Sequence, residues 1–233
     1  MKNIVLASTS TIYGGKYLEY LQPVIEELFA GVDEIVFIPF ARPSGISHDE
    51  YTAKAAAFFE KIGIGVKGLH SFPDAVKALQ QAKGFFTGGG NTFLLVKQLH
   101  EQGLMQELGN QVRAGKPYLG VSAGTNIGGI TMGTTNDMPI VYPPSFQTMG
   151  LLPFNINPHY LDPIPDLPHM GETREVRIQE FHVFNDIPVI GLREGSWLRV
   201  KGDEIVLGGG LSARVFAKGR EAYEVKGGMP ISR

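Results

Sequence analysis

Short apolar runs and helical periodicities alternate along the first half of this chain. Ile4-Val5-Leu6 reads as a first strand. Leu18, Leu21, Ile25, Leu28 and Phe29 then recur at helical spacing, with Pro23 at a helix start or a kink. A second strand is predicted over 34–38, closed by Pro39. Ser47 and Glu50 have capping-box spacing and open a helix whose apolar face is Ala55, Phe58, Phe59 and Ile62. Strands are predicted over 66–69 and 84–87, with a helix over 74–81 between them. Helices over 93–100 and 104–113 lead into a strand over 118–121. This rhythm predicts a mostly parallel, doubly wound α/β sheet with helices on both faces.

The second half follows another pattern. Residues 131–170 are rich in Pro, Asn and Gly and show little periodicity. An irregular stretch of that length usually carries function, because ligand groups sit on loops held by a rigid sheet. Within it, 154–156 reads as a short strand. A helix is predicted over 172–184 and a strand over 189–192. Segments 197–200 and 204–207 alternate around Lys201-Gly202-Asp203 as a hairpin, and 214–217 and 221–225 suggest further antiparallel strands. With no internal repeat or linker, residues 1–233 are expected to form one domain.

Composition narrows the setting. The formal net charge is −2 and no Lys/Arg block occurs, which argues against nucleic acid and against a membrane surface. Met1-Lys2-Asn3-Ile4-Val5-Leu6 reads as a strand rather than a signal peptide, and no apolar run approaches the ~20 residues of a membrane span. The chain has no cysteine, so disulfides, thiol nucleophiles and thiolate metal sites are excluded and a cytoplasmic location is expected.

The chemistry centres on Gly120-Val121-Ser122-Ala123-Gly124, after the predicted strand over 118–121. A G-x-S-x-G turn forces its serine into a tight strand-to-helix bend with the hydroxyl exposed, as a nucleophile requires. Its bland alternative is an ordinary βα turn, since glycine is common here (30 of 233 residues). A serine nucleophile needs a base and a group to orient that base. His48, His70, His100 and His182 fall in or beside predicted elements, and no strand precedes His169. His159 follows the short strand and Pro158, at the kind of strand end where open parallel sheets carry their sites. Two acids compete as orienter. Asp137 lies in a polar turn, whereas Glu194 follows the strand over 189–192, and the spacing favours Glu194. Thr87-Gly88-Gly89-Gly90-Asn91-Thr92 lies between a strand and a helix and exposes backbone N–H groups. Gly89 and the Ala123 N–H are therefore the candidate oxyanion donors. The nucleotide-binding glycine spacings are absent, and no metal motif or cofactor motif is visible.

Taken together these segments resemble the peptidase E family of α-aspartyl dipeptidases. The resemblance spans nearly the whole chain and rests on Phe37-Ile38-Pro39-Phe40-Ala41, Asp49-Glu50-Tyr51-Thr52, Gly88-Gly89-Gly90-Asn91-Thr92-Phe93, the Ser122 turn, the 134–141 segment, Ile156-Asn157-Pro158-His159 and Gly171-Glu172-Thr173-Arg174-Glu175. It implies a serine hydrolase that removes an N-terminal aspartate from Asp-X dipeptides. Ser122 would be the nucleophile, His159 the base and Glu194 the orienting acid. It also implies a sheet related to class I glutamine amidotransferases, with serine where those enzymes carry cysteine. Val121 departs from the tryptophan common in the family, and the stretch after Ala217 matches less well. An aspartate side chain needs a cationic partner, for which Arg174 is the candidate and Arg193 the fallback. Asn91 and Thr92 could add neutral hydrogen bonds, and Glu172 or Asp137 could receive the ammonium. The rival readings are a broader or cyanophycin-type exopeptidase and a non-catalytic small-molecule module. A monomer or homodimer is expected.

Overall fold

The computed structural model describes residues 1–163 and 171–231. The alternating half of the chain builds β1 (Asn3–Ala7), α1 (Gln22–Leu28), β2 (Glu34–Ile38), α2 (His48–Phe59), β3 (Gly65–Gly68), α3 (Ala75–Gln81), β4 (Phe85–Thr87), α4 (Thr92–Glu101), α5 (Leu104–Arg113), β5 (Tyr118–Val121) and α6 (Ala123–Asn126). Then come β6 (Asn155–Pro158), α7 (Arg174–Phe184), β7 (Val189–Leu192), β8 (Trp197–Lys201), β9 (Glu204–Gly208), β10 (Ala213–Phe216) and β11 (Tyr223–Val225). Pro23 sits in the first turn of α1, where its missing N–H costs nothing. Both halves of the Ser47–Glu50 capping box are formed.

β3-β2-β4-β5-β1-β8-β9 form one seven-stranded sheet. Pairing is parallel from β3 through to β1, and antiparallel where β8 joins β1 and β9 joins β8. Strand side chains divide with a period of two, as the pleat requires. Ile4, Leu6, Val36, Ile38, Phe85 and Tyr118 pack on the face covered by α3, α4 and α5. Val5, Ala7, Ile35, Phe37, Phe86, Leu119 and Val121 pack on the face covered by α1 and α2. Val121 is fully buried beneath the Ser122 turn.

The strands β6 and β7 do not extend the main sheet. They pair in parallel with each other inside a second, four-stranded sheet of order β11-β10-β7-β6. The free edge of β1 is occupied by the β8–β9 hairpin, so β6 and β7 have no place there. Ile156, Ile190, Leu192 and Val215 from the second sheet join the same buried cluster as Leu6 and Leu198 from the first. Tyr160, Val189 and Phe216 meet Ile178 of α7 in a separate buried cluster. Among the described residues no helix is long and apolar enough to cross a membrane.

Candidate active site

The site lies where the carboxyl ends of β5, β6 and β7 converge. Ser122 links β5 directly to α6 and holds φ 52°, ψ −110°, a sparsely populated conformation for a residue with a side chain. The bend is enforced on all sides. The Ser122 N–H donates to the Ala7 carbonyl (3.1 Å), and its carbonyl accepts from the Thr125 and Asn126 amides (2.8 and 2.9 Å). A Cβ on Gly120 would collide with the Gly124 carbonyl, and one on Gly124 with the Thr87 carbonyl. Only glycine therefore fits on either side of the serine.

His159 leaves β6 at φ 55°, a second strained residue at the site. Its Nε2 lies 2.9 Å from Ser122 Oγ and its Nδ1 lies 2.6 Å from Glu194 Oε1. An ionised carboxylate can only accept, so Nδ1 carries the proton and Nε2 is left to accept from the serine hydroxyl. Glu194 sits in the tight turn after β7, closed by Ser196 N–H donating to the Arg193 carbonyl (3.1 Å). Three residues distant in sequence thus form one hydrogen-bonded chain, with His159 and Glu194 following strands of the second sheet and Ser122 following a strand of the first. His169 lies outside the described residues.

The glycine turn closes over the serine. A Cβ on Gly89 would stand 3.1 Å from Ser122 Cβ. The Gly89, Gly90 and Ala123 N–H groups have no acceptor among the described residues, so they are available to an oxyanion. Tyr51, fully buried, fixes this turn by donating its hydroxyl to the Gly89 carbonyl (3.1 Å). Burial pushes the Tyr51 pKa up, which keeps that hydroxyl a donor.

Asp137 stands away from His159. Its Oδ2 accepts from the Thr92 N–H (2.7 Å) and the Thr135 hydroxyl (3.1 Å), at the amino end of α4. Among the described residues it makes no hydrogen bond to His159. The side chains of Asn91 and Thr92 are likewise committed. Asn91 caps α4 through the Leu94 N–H (3.0 Å) and donates to the Met138 carbonyl (2.8 Å). Thr92 is fully buried, its hydroxyl engaged with Asn126 and Thr135 (both 3.1 Å). Through these bonds the two side chains tie the glycine turn to the 134–138 segment. Asn136 and Asn157 bond each other (2.9 Å), and Asn136 donates to the Pro158 carbonyl (2.7 Å), so the same segment is pinned beside His159.

Arg174 opens α7 and makes no ion pair among the described residues. It is half-buried. Burial lowers its pKa, nearby Arg177 pushes the same way, and the Asp137 carboxylate opposes both. This is an under-neutralised cation. Arg193, the fallback, is spent on Asp162 (2.6 Å) and Glu224 (2.9 Å). Glu172 is exposed and lies 3.8 Å from Arg177. A cavity of about 770 Å³ between α7 and β10, lined by Glu175, His182, Arg214 and Arg220 among others, contains none of the site residues. Among the described residues no group of three or more His, Asp or Glu is placed to hold a metal.

Sequence reasoning missed Ser8 and Tyr51. The first had a usable signal, a polar residue at the carboxyl end of β1. The second had none beyond its place in Asp49-Glu50-Tyr51-Thr52.

A mixed α/β sheet carrying a strained serine, a histidine and a glutamate in hydrogen-bond sequence defines a serine hydrolase of the Ser-His-acid class. The model of peptidase family S51 matches residues 4–208, and the chain belongs to that family. It is 47% identical over 230 residues to peptidase E of Streptomyces coelicolor, covering 99% of this chain and 93% of that one. It is 44% identical over 218 residues to a Drosophila melanogaster protein named "Probable alpha-aspartyl dipeptidase", covering 92% and 90%. The solved structure of a peptidase from an acI-B1 actinobacterium shares the fold with a TM-score of 0.73 at 18% identity, over 100% of this chain and 97% of that one.

Proposed function

We propose that this protein is a serine dipeptidase that hydrolyses the peptide bond after an N-terminal aspartate in Asp-X substrates. The observation that carries the reading is the continuous chain from Ser122 Oγ through His159 to Glu194. The names of the relatives supply the substrate class.

In the first step the Ser122 oxygen attacks the aspartyl carbonyl carbon as His159 Nε2 takes the hydroxyl proton. The developing oxyanion is received by the free amides of Ala123 and the glycine turn, with Gly89 as the expected donor. His159 then gives its proton to the departing amine, the C–N bond breaks and X leaves with a free amino group. Water attacks the acyl-enzyme with His159 as base, and aspartate is released as Ser122 regains its proton. Glu194 holds the tautomer and stabilises the imidazolium of each half-reaction.

Arg174 is the proposed partner of the substrate's side-chain carboxylate, a role supported by its lack of a counter-ion among the described residues. Asp137 is the proposed receiver of the ammonium of the same substrate residue, a role supported by its one carboxylate oxygen uncommitted among the described residues and by its electrostatic influence on Arg174. Glu172, exposed and beside Arg177, fits that role less well. The chain is further read as one cytoplasmic domain, supported by the absence of cysteine and by the buried cluster shared between the sheets.

Turnover of Asp-Leu and of an aspartyl p-nitroanilide tests this directly. Ser122→Ala should lower kcat by several orders of magnitude. Arg174→Met should erase most of the preference for Asp-X over Asn-X while Ser122 still reacts with a small unselective covalent probe. Near-normal turnover by Ser122→Ala would overturn the reaction, and an unchanged Asp-to-Asn ratio in Arg174→Met would overturn the specificity assignment alone.

A further inference from the structure

The nucleophile and the base belong to different sheets, so something must set the distance between them. One short stretch, Ala7-Ser8 at the carboxyl end of β1, bonds the backbone of both Ser122 and His159 and brackets Glu194. The Ala7 carbonyl accepts from the Ser122 N–H (3.1 Å) and from the Thr125 hydroxyl (2.6 Å). The Ser8 N–H donates to the Ser196 carbonyl (3.0 Å), two residues beyond Glu194. The Ser8 hydroxyl donates to the Leu192 carbonyl (2.8 Å), two residues before Glu194. The same hydroxyl accepts from the backbone N–H of His159 (2.8 Å). Ser8 is fully buried, so no solvent competes for these bonds.

The bond to His159 matters because of that residue's backbone. At φ 55° His159 is in a region that residues with side chains occupy only when the surroundings over-determine it. The next residue, Tyr160, also donates its N–H to the Leu192 carbonyl (3.2 Å), so the reversal after Pro158 is held at two successive amides. Only the first of these, through Ser8, connects it to the strand that also fixes Ser122. Without the Ser8 hydroxyl the His159 N–H loses its acceptor, and the backbone of His159 loses its direct bond to the strand that fixes Ser122.

We propose that Ser8 is a positioning residue, whose hydroxyl fixes the separation of His159 from Ser122 by tying the second sheet to β1. It acts through His159 and touches no reacting atom. The proposal rests on the reading of Ser122, His159 and Glu194 as the triad.

The experiment measures kcat and KM for Asp-Leu in the full-length protein, with Ser8→Ala made alone and in a His159→Ala background, and thermal denaturation of each. Misplacing a catalytic group by about 1 Å costs on the order of 100-fold. Ser8→Ala alone should therefore lower kcat roughly 10- to 100-fold with KM within about twofold. In the His159→Ala background the same change should alter the residual rate by less than about twofold, because the residue it positions is gone. Should Ser8→Ala fail to fold, Ser8→Cys keeps the shape while its S–H bonds weakly, and it carries the same expectations. Wild-type kcat in the Ser8 variant overturns the proposal, as does an equal loss with and without His159. Ser122→Ala serves as the reference. If it stays active the triad reading fails, whereas an inactive Ser122→Ala beside a fully active Ser8 variant sinks only the role of Ser8.

Discussion

Two acids near the site do different work, and substitution should separate them. Glu194 accepts from His159 Nδ1, and in the proposed mechanism the imidazolium of each half-reaction needs its charge. Glu194→Gln keeps the shape but removes the charge, and it should lower kcat by roughly 10²- to 10⁴-fold at similar KM. Asp137 instead receives the Thr92 N–H at the start of α4. Asp137→Asn retains an acceptor there and should act more on KM than on kcat. Steady-state kinetics on Asp-Leu checks both, and the split reverses if Asp137 is the orienter after all. At this scale the sequence was informative where residues stand beside punctuation. Ser122 is framed by glycines, His159 follows a proline and Glu194 precedes a glycine. Ser8 was opaque because its bonds run to backbone groups distant in sequence, which spacing does not reveal.

The glycine turn between β4 and α4 is the element on which the oxyanion site depends. Gly89 lies against the serine, and an added methyl would sit 3.1 Å from Ser122 Cβ, where the neighbour must give way. Gly89→Ala should therefore fold with near-normal stability and lose kcat by about 10- to 1000-fold, the range for a displaced oxyanion donor. Comparing thermal denaturation with turnover checks this, and a variant that loses stability and activity together would assign the glycine to folding instead. Helices with strong caps were legible almost to the residue, because Ser47, Asp74 and Asn91 each bond an orphan amide as their chemistry predicts. Strand β6 was harder. The sequence suggests 154–156, but the strand is Asn155–Pro158. Asn and Pro have poor strand propensity, and pairing with β7 overrides it. Helix α6 was implied only by the strand-to-helix bend at Ser122, because four residues, one of them glycine, carry no periodicity.

Across the whole molecule, the division into two sheets was the least legible feature. Nothing local in the sequence announces that the β8–β9 hairpin takes the edge of β1 and that β6 and β7 pair in a sheet apart from it. The second sheet is bound to the segment after His159 by charge. Arg193 holds Asp162 on one side and Glu224 of β11 on the other, and Arg214 pairs with Glu175 of α7. Its hydrogen bond to Arg193, the largest influence, holds the Glu224 carboxyl at about 2 against an ordinary 4.5. A depressed carboxylate contributes stability above its unfolded pKa and loses it as pH falls toward the folded value. Glu224→Gln should therefore be less stable than wild type at neutral pH, with the gap closing as pH drops from 4.5 toward 2. Thermal midpoints measured along that range check the sign, and a gap that widens in acid contradicts it.

An active site assembled from two sheets works as a coincidence detector, silent unless both are in place. The chain carries one tryptophan, Trp197, on β8 of the seven-stranded sheet, packed beside Tyr20. Its fluorescence reports chiefly on the seven-stranded sheet, which holds the proposed nucleophile, rather than on the smaller sheet, which holds the proposed base. The smaller sheet ends in β11, whose side chains are largely exposed, so it is the part expected to open first under denaturant. In a urea titration, turnover should vanish at a lower concentration than the one that shifts Trp197 emission, leaving a species that looks folded and does nothing. Superimposable curves would mean that the sheets open together, and that the enzyme has no such dark intermediate.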